Sequence, residues 1–234
     1  MPVMWLATAS LTALPPPSAY PSLLAGMRQS SAVVISLTTC IIVCDKKGDR
    51  EGQMATIISH SVAALALGKV FSWERKSAIF WVLTAVCAAL PDIDVIGFSF
   101  GIRYHDLLGH RGLTHSLVFA LVAGCLVVPI AFRDVEVFSA GWWKLSTYFF
   151  VVIASHGLLD ALTNGGLGVA FFAPFSNERF FFPWRPIEVS PIGLEPFLTE
   201  RGLQVIISEL KWIWIPSGLL VAMAETYRRL KRRS

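Results

Sequence analysis

Charge is scarce in this chain. Aspartate, glutamate, lysine and arginine together supply 15% of the 234 residues, against 54% for hydrophobic types, whereas a soluble domain carries about 25% charged residues. That shortage argues against an ordinary water-soluble globule and for a membrane protein. Cysteine is scarce as well. Cys40, Cys44, Cys87 and Cys125 lie in or beside apolar runs, without zinc-ribbon spacing and with no histidine near the first two. This pattern excludes a cysteine-based metal site and leaves them as reduced packing residues. No stretch alternates at period two long enough for a barrel strand, and there is no internal repeat or low-complexity tract. Basic charge forms no broad face. It gathers in "YRRLKRRS", Tyr227 to Ser234, which after an apolar segment reads as a cytoplasmic anchor, so no nucleic-acid partner is expected.

The first 53 residues differ from the rest. They lack a basic start and a clear cleavage site, so they do not read as a secretory signal. Their apolar run, Ala32 to Cys44, falls short of the roughly 20 residues that span a bilayer. "KKGDREGQ" before Met54 is compatible with the purine-rich codons of a ribosome-binding site. Residues 1–53 are therefore expected to be either a leader ahead of a start at Met54 or a disordered, weakly anchored extension. The expected organisation continues with a helical membrane domain over 54–224 and a basic tail over 225–234.

From Met54 onward apolar segments follow one another: roughly Ala55 to Phe71, Ser77 to Leu90, Leu113 to Phe132, Trp142 to Leu162 and Gln204 to Ala224. The third and fourth have uninterrupted spanning length. The second is short unless it begins near Trp73, and the last carries Glu209 and Lys211, which places its first turn at the interface. Six tryptophans near segment ends suit an interfacial belt. Asn164 to Gly202 reads as an ordered re-entrant or surface loop. The expected fold is all-α, a multi-pass membrane bundle of four to five apolar helices.

Against this background five histidines stand out, at positions 60, 105, 110, 115 and 156. His60 opens the first helix, and Asp92 and Asp94 follow the second. His110 and His115 precede the third, and His156 and Asp160 close the fourth. If consecutive helices are antiparallel, all seven of these (His105 aside, in an exposed-looking "RYHD") meet at one end of the bundle. His156 and Asp160, four apart, share a helix face. Asp92 and Asp94 flank one residue in a turn begun by Pro91. Ionisable groups cost roughly 2.5–3.5 kcal/mol each at a helix centre in a bilayer, so their convergence points to a site. Imidazole with carboxylate suits zinc, manganese or iron better than magnesium or calcium. Seven ligands exceed one tetrahedral ion and fit two. Each residue also has a plainer reading: a hydrogen-bonded core histidine for His60, turn formers for Asp92 and Asp94, an orienting role for His110, a structural pair for His156 and Asp160. Thr114 reads as the N-cap of the third helix.

"ISHSVAALALG", "PDIDVIG", "HRGLTHS", "SHGLLDALTNGG" and "PFSNERFFFPWRPI" resemble the YdjM-like family of bacterial inner-membrane proteins classed as metal-dependent hydrolases, over about Met54 to Gly193. The resemblance implies a divalent metal centre, one or two ions and zinc first, at His60, Asp92, Asp94, His110, His115, His156 and Asp160. The HxxxD element is also similar, as a pattern only, to zinc-dependent phospholipase C.

The expected chemistry is hydrolysis of an ester or phosphodiester in an amphiphilic or lipid substrate. Asp92 or Asp94 would act as general base, Arg111 would hold an anionic oxygen, and Arg179 and Arg185 would clamp a phosphate. Phe180 to Phe182 and Trp184 would meet the bilayer, the expected partner. A metal-stabilised structural protein and a metal-ion transporter are the alternatives. Arg75, Lys76, Arg133 and the tail lie opposite the site, which makes that end cytoplasmic and the location a multi-pass bacterial inner membrane.

Overall fold

The computed structural model describes residues 53–54, 56–71, 77–191 and 200–233. The expected leader up to Gly52, with Cys40 and Cys44, lies outside them, as do Trp73, Arg75 and Lys76. Helix α1 spans Ile57–Val70 and begins where the Thr56 side chain accepts from the Ser59 amide. Helix α2, Ala78–Ala89, continues without a break into a 3-10 helix, Leu90–Phe100, which Pro91 opens and Gly101 closes. Eleven residues is long for a 3-10 helix, because its hydrogen bonds are poorer than those of an α-helix. This one carries Asp92 and Asp94.

A loop leads to a short 3-10 turn, Leu113–His115, and then to α3, Leu117–Ala131, and α4, Ala140–Ala161. Ser116 and Ser139 cap these two helices by accepting from the Phe119 and Trp142 amides, an N-cap bond typical of serine. The cap of α3 is thus Ser116 and not Thr114. Helix α5, Glu200–Glu209, a π-helical stretch, Leu210–Trp214, and α6, Ile215–Lys231, form one continuous rod. Pro216 has no N–H and crowds the carbonyl four residues back, and the wider π turn just before it relieves both problems. The basic tail therefore belongs to a helix as far as Lys231. The sole sheet among the described residues is a two-residue antiparallel pairing, with Gln53 opposite Pro191 and Met54 opposite Ser190. The expected all-α fold is what is found.

Helix α4 is the central element and packs against α1, α2 and α3. Leu145, Phe149, Val152 and Ile153 on α4 are essentially without exposure, as are Phe80 on α2, Ala64 on α1, and Ala120 and Val128 on α3. Ala120, Gly124 and Val128 repeat every four residues, so they form one ridge of α3 facing α4. A Cβ on Gly124 would come 2.7 Å from the Phe150 amide nitrogen, and it is the missing side chain that lets the two backbones approach. Across the core, Thr84 donates to the Phe80 carbonyl and meets the Tyr148 hydroxyl at 2.8 Å.

Among the described residues two helices are long and apolar enough to cross a membrane, Ala78–Phe100 and Glu200–Lys231, and only 17% of the latter's apolar stretch is buried. These are not the two segments expected from the sequence. Leu113 to Phe132 yields a helix of only 15 residues, because the chain turns as 3-10 before extending at Ser116. Trp142 to Leu162 does form a 22-residue helix, but more than half of it is buried and it carries Lys144, His156 and Asp160. The second segment gains its length from the 3-10 continuation past Leu90.

Candidate metal centre

Helix ends bring the polar residues together. His60 comes from the first turn of α1, and Asp92 and Asp94 from the 3-10 helix after α2. His110, Arg111 and His115 come from the loop and turn before α3, and His156 and Asp160 from the last two turns of α4. All eight are buried, none above 7% exposed.

Four atoms converge. His156 Nε2 lies 3.2 Å from Asp92 Oδ1 and 3.7 Å from Asp160 Oδ2, while His115 Nε2 lies 3.6 Å and 3.4 Å from the same two oxygens. A tetrahedral ion with ligands at 2.0–2.2 Å has edges of roughly 3.3–3.6 Å between them, so these separations match a preformed four-ligand cage. The protonation pattern agrees. His156 Nδ1 donates to the Ala88 carbonyl at 2.7 Å, which leaves the Nε2 lone pair facing the centre. His115 Nδ1 lies 3.1 Å from Asp94 Oδ2, with the same consequence on the other side. Outer partners of this kind fix the tautomer and aim of a metal-ligating imidazole. Asp92 Oδ2, Asp160 Oδ1, His115 Nε2, and His60 Nδ1 and Nε2 have no hydrogen-bond partner among the described residues. Buried polar atoms seldom lack partners, and a cation would satisfy them.

Asp94 behaves differently from Asp92. In a 3-10 helix residues two apart point about 120° from one another, so the two carboxylates diverge. Asp94 Oδ1 accepts from His110 Nδ1 at 2.8 Å, and Oδ2 accepts from the Thr114 hydroxyl at 2.6 Å and the Arg111 amide at 3.2 Å. Asp94, His110 and His115 form a second group close enough to hold an ion. Their facing nitrogens are already engaged, that of His110 by Asp94 and that of His115 by the Thr114 hydroxyl beside Asp94, which marks this group as the support of the first. With three buried carboxylates, Asp92, Asp94 and Asp160, gathered here, the site favours positive charge.

Arg111 does not face outward. Its Nε lies 3.1 Å from Asp160 Oδ2, Nη1 donates to the Gly165 carbonyl and Nη2 to the Thr163 hydroxyl. The expected hold on a substrate oxygen is replaced by a hold on Asp160, because a fully buried guanidinium must be paired. Arg179 donates to the carbonyls of His110, Tyr104 and Asp106 and so fastens the loop. Arg185 is exposed and lies over the Phe181 ring, 4.7 Å from its centroid. His105 is exposed, 3.8 Å from Asp106. Trp184 meets Trp212 edge-on at 4.8 Å, joining the 163–191 loop to the terminal rod.

Glu209, expected at the interface, is 3% exposed. It accepts from the Thr56 amide and from the hydroxyls of Thr56 and Ser59, and Ser59 in turn accepts from Trp214 Nε1. The only sequence signal was a carboxylate inside an apolar run.

A match to the family described as YdjM inner membrane protein covers residues 54–231. The chain belongs to this family. Inner membrane protein YbcI of Escherichia coli (strain K12) is 43% identical over 176 residues, which is 75% of this chain and 100% of that protein. No solved structure matches. The YdjM match takes in all the residues of the cage, and the name of the relative places that protein in the inner membrane.

Proposed function

We propose that this YdjM-family chain is a membrane-embedded, metal-dependent hydrolase acting on an ester or phosphodiester of an amphiphilic lipid. The observation that carries the reading is the four-atom cage of Asp92, His115, His156 and Asp160. Zinc is the ion proposed, since two imidazoles and two carboxylates at tetrahedral spacing suit it, with manganese or iron as the other ions the donor set admits. Such an ion, when bound, supplies Lewis acidity and makes a water far more acidic.

The protein's own part rests on the asymmetry of two aspartates. Asp94 has both oxygens taken by donors, so the general base falls to Asp92, whose Oδ2 is without a partner among the described residues. Arg185 and Trp184 remain at the surface for contact with an amphiphile's head and chain. The location proposed is the bacterial inner membrane, multi-pass, with the basic C-terminus cytoplasmic.

The near-complete burial of the cage and its four protein ligands, a closed set of the kind structural zinc sites have, favour one rival, an ion that only ties helix ends together. The assay that separates them uses detergent-purified protein with phosphodiester and carboxyl-ester amphiphiles, before and after chelation. Turnover lost on chelation, regained with zinc and absent in Asp92→Asn supports the hydrolase. Chelation that lowers thermal stability, with no turnover on any ester, leaves the structural tie.

A further inference from the structure

We infer that the centre takes one divalent ion, and that Arg111 stands where a second cation would otherwise be needed. The inference rests on the metal reading above. Counting candidate ligands suggested two ions, but the structure divides the polar residues otherwise. One set of four atoms has tetrahedral spacing. In the neighbouring set His110 Nδ1 already donates to Asp94, His115 Nδ1 lies 3.1 Å from Asp94 and bonds to the Thr114 hydroxyl, and Asp94 is also bonded to Thr114 and the Arg111 amide.

Charge leads to the same number. Asp92, Asp94 and Asp160 bring three negative charges into a buried volume, and Arg111 brings one positive. Arginine stays protonated in proteins, and ligating imidazoles are neutral. Two negative charges remain, which one divalent ion cancels. A second would leave an equal excess of positive charge in the same buried space, and uncompensated buried charge is strongly disfavoured.

The guanidinium is held as firmly as a ligand would be. Arg111 adopts a positive φ of 61°, rare outside glycine. Its Nε sits 3.1 Å from Asp160 Oδ2, the oxygen that also faces His115 and His156. Gly166, at φ 80°, packs on it so closely that a Cβ there would come 2.8 Å from Nη1 and 2.7 Å from the Tyr104 hydroxyl. The chain is thus shaped around this cation beside a carboxylate of the cage.

The test is metal stoichiometry of the full chain in detergent, stripped and then dialysed against zinc, with a parallel manganese sample read by electron paramagnetic resonance. One ion per chain and an uncoupled manganese signal are expected. Asp94→Asn should keep the single ion with affinity reduced by about 10–100-fold, as for an outer partner, and Asp92→Asn should lose it. Arg111→Lys should still bind one ion, whereas Arg111→Gln should take up a second. Two ions per wild-type chain, or a coupled manganese pair, overturn the inference whether or not Arg111→Gln folds, and leave the hydrolase standing. One ion without turnover leaves the inference intact and removes the hydrolase. No ion at all removes both.

Discussion

The imidazole of His60 lies flat on that of His156, with ring centroids 3.7 Å apart and planes 11° from parallel. Both rings are buried, and two stacked imidazolium ions would repel strongly in such a place. His156 is aimed by this stack on one face and by the Ala88 carbonyl at its Nδ1. His60 Nε2 lies 3.6 Å from Asp160 Oδ1 and stands outside the four-atom cage.

His60→Phe keeps a ring on His156 while removing both nitrogens. The expected result is one bound ion with affinity lowered on the order of tenfold, the scale of a lost outer partner. His156→Ala, which removes a cage atom, should bind none. Equilibrium dialysis followed by elemental analysis decides. Complete loss of the ion in His60→Phe would move His60 into the ligand set.

Gly166 and Gly101 form a matched pair. Both have positive φ, 80° and 78°, a region that costs a residue with a side chain about 1–2 kcal/mol. Only Gly166 is also crowded, by Tyr104 and Arg111, while a Cβ on Gly101 would meet nothing within 4 Å. Gly101→Ala should therefore lower stability by about that amount and keep the ion. Gly166→Ala should cost more and weaken metal binding by displacing the guanidinium from Asp160. Thermal unfolding in detergent, with metal content read alongside, tests the difference. Equal behaviour of the two variants would mean that the Arg111 cradle is not needed.

Much of this arrangement was legible in the sequence. The first four apolar segments located their helices to within about four residues, the last stopped seven residues short of the helix end at Lys231, and histidine and aspartate at segment ends foretold where they would meet. The division of labour between Asp92 and Asp94 was not legible. It follows from a 3-10 helix that rotates residues two apart away from each other, and the motif was expected to form a simple turn. Nor was the fate of Arg111, whose neighbours Asp160, Thr163 and Gly165 are some 50 residues away in the chain. Spacing in sequence reports shared helix faces, but it carries no information on which groups a loop side chain reaches across the fold. Glu209 was misplaced for the same reason, since its partners Thr56 and Ser59 lie at the far end of the domain.

Glu209 should be among the costliest polar positions to change. Its carboxylate receives three donors at 2.6–2.7 Å, and it sits at the N-terminus of α1, where a negative charge is favoured by the helix dipole. Glu209→Ala would strand those donors, and each buried unsatisfied group costs about 1–3 kcal/mol. A clear fall in the melting temperature is expected. Trp214→Phe, which removes a single hydrogen bond to Ser59, should cost about 1 kcal/mol. Indifference of stability to Glu209→Ala would show that water replaces the carboxylate.

The basic end of α6 is tied to the end of α1 that lies away from His60. Arg228 donates to the carbonyls of Lys69 and Val70 at 2.7 and 2.8 Å, while Glu209, nineteen residues earlier, reaches Thr56 and Ser59 at the helix's start. Helix α1 and the continuous α5–α6 rod therefore run parallel. The ten residues from His60 to Val70 separate the cage from the tail by about 15 Å along the axis. We propose, from the positive-inside rule, that the tail is cytoplasmic; on that reading the cage end faces outward. In a chain with its four cysteines changed to serine, Arg103→Cys and Arg232→Cys report the two ends, since both side chains are exposed. A membrane-impermeant maleimide added to spheroplasts should label position 103 at once and position 232 only after permeabilisation. The reverse order would invert the orientation and give the centre access to cytoplasmic substrates. Labelling of both positions before permeabilisation would mean that the two ends share one side, and the helices between them would not cross the membrane.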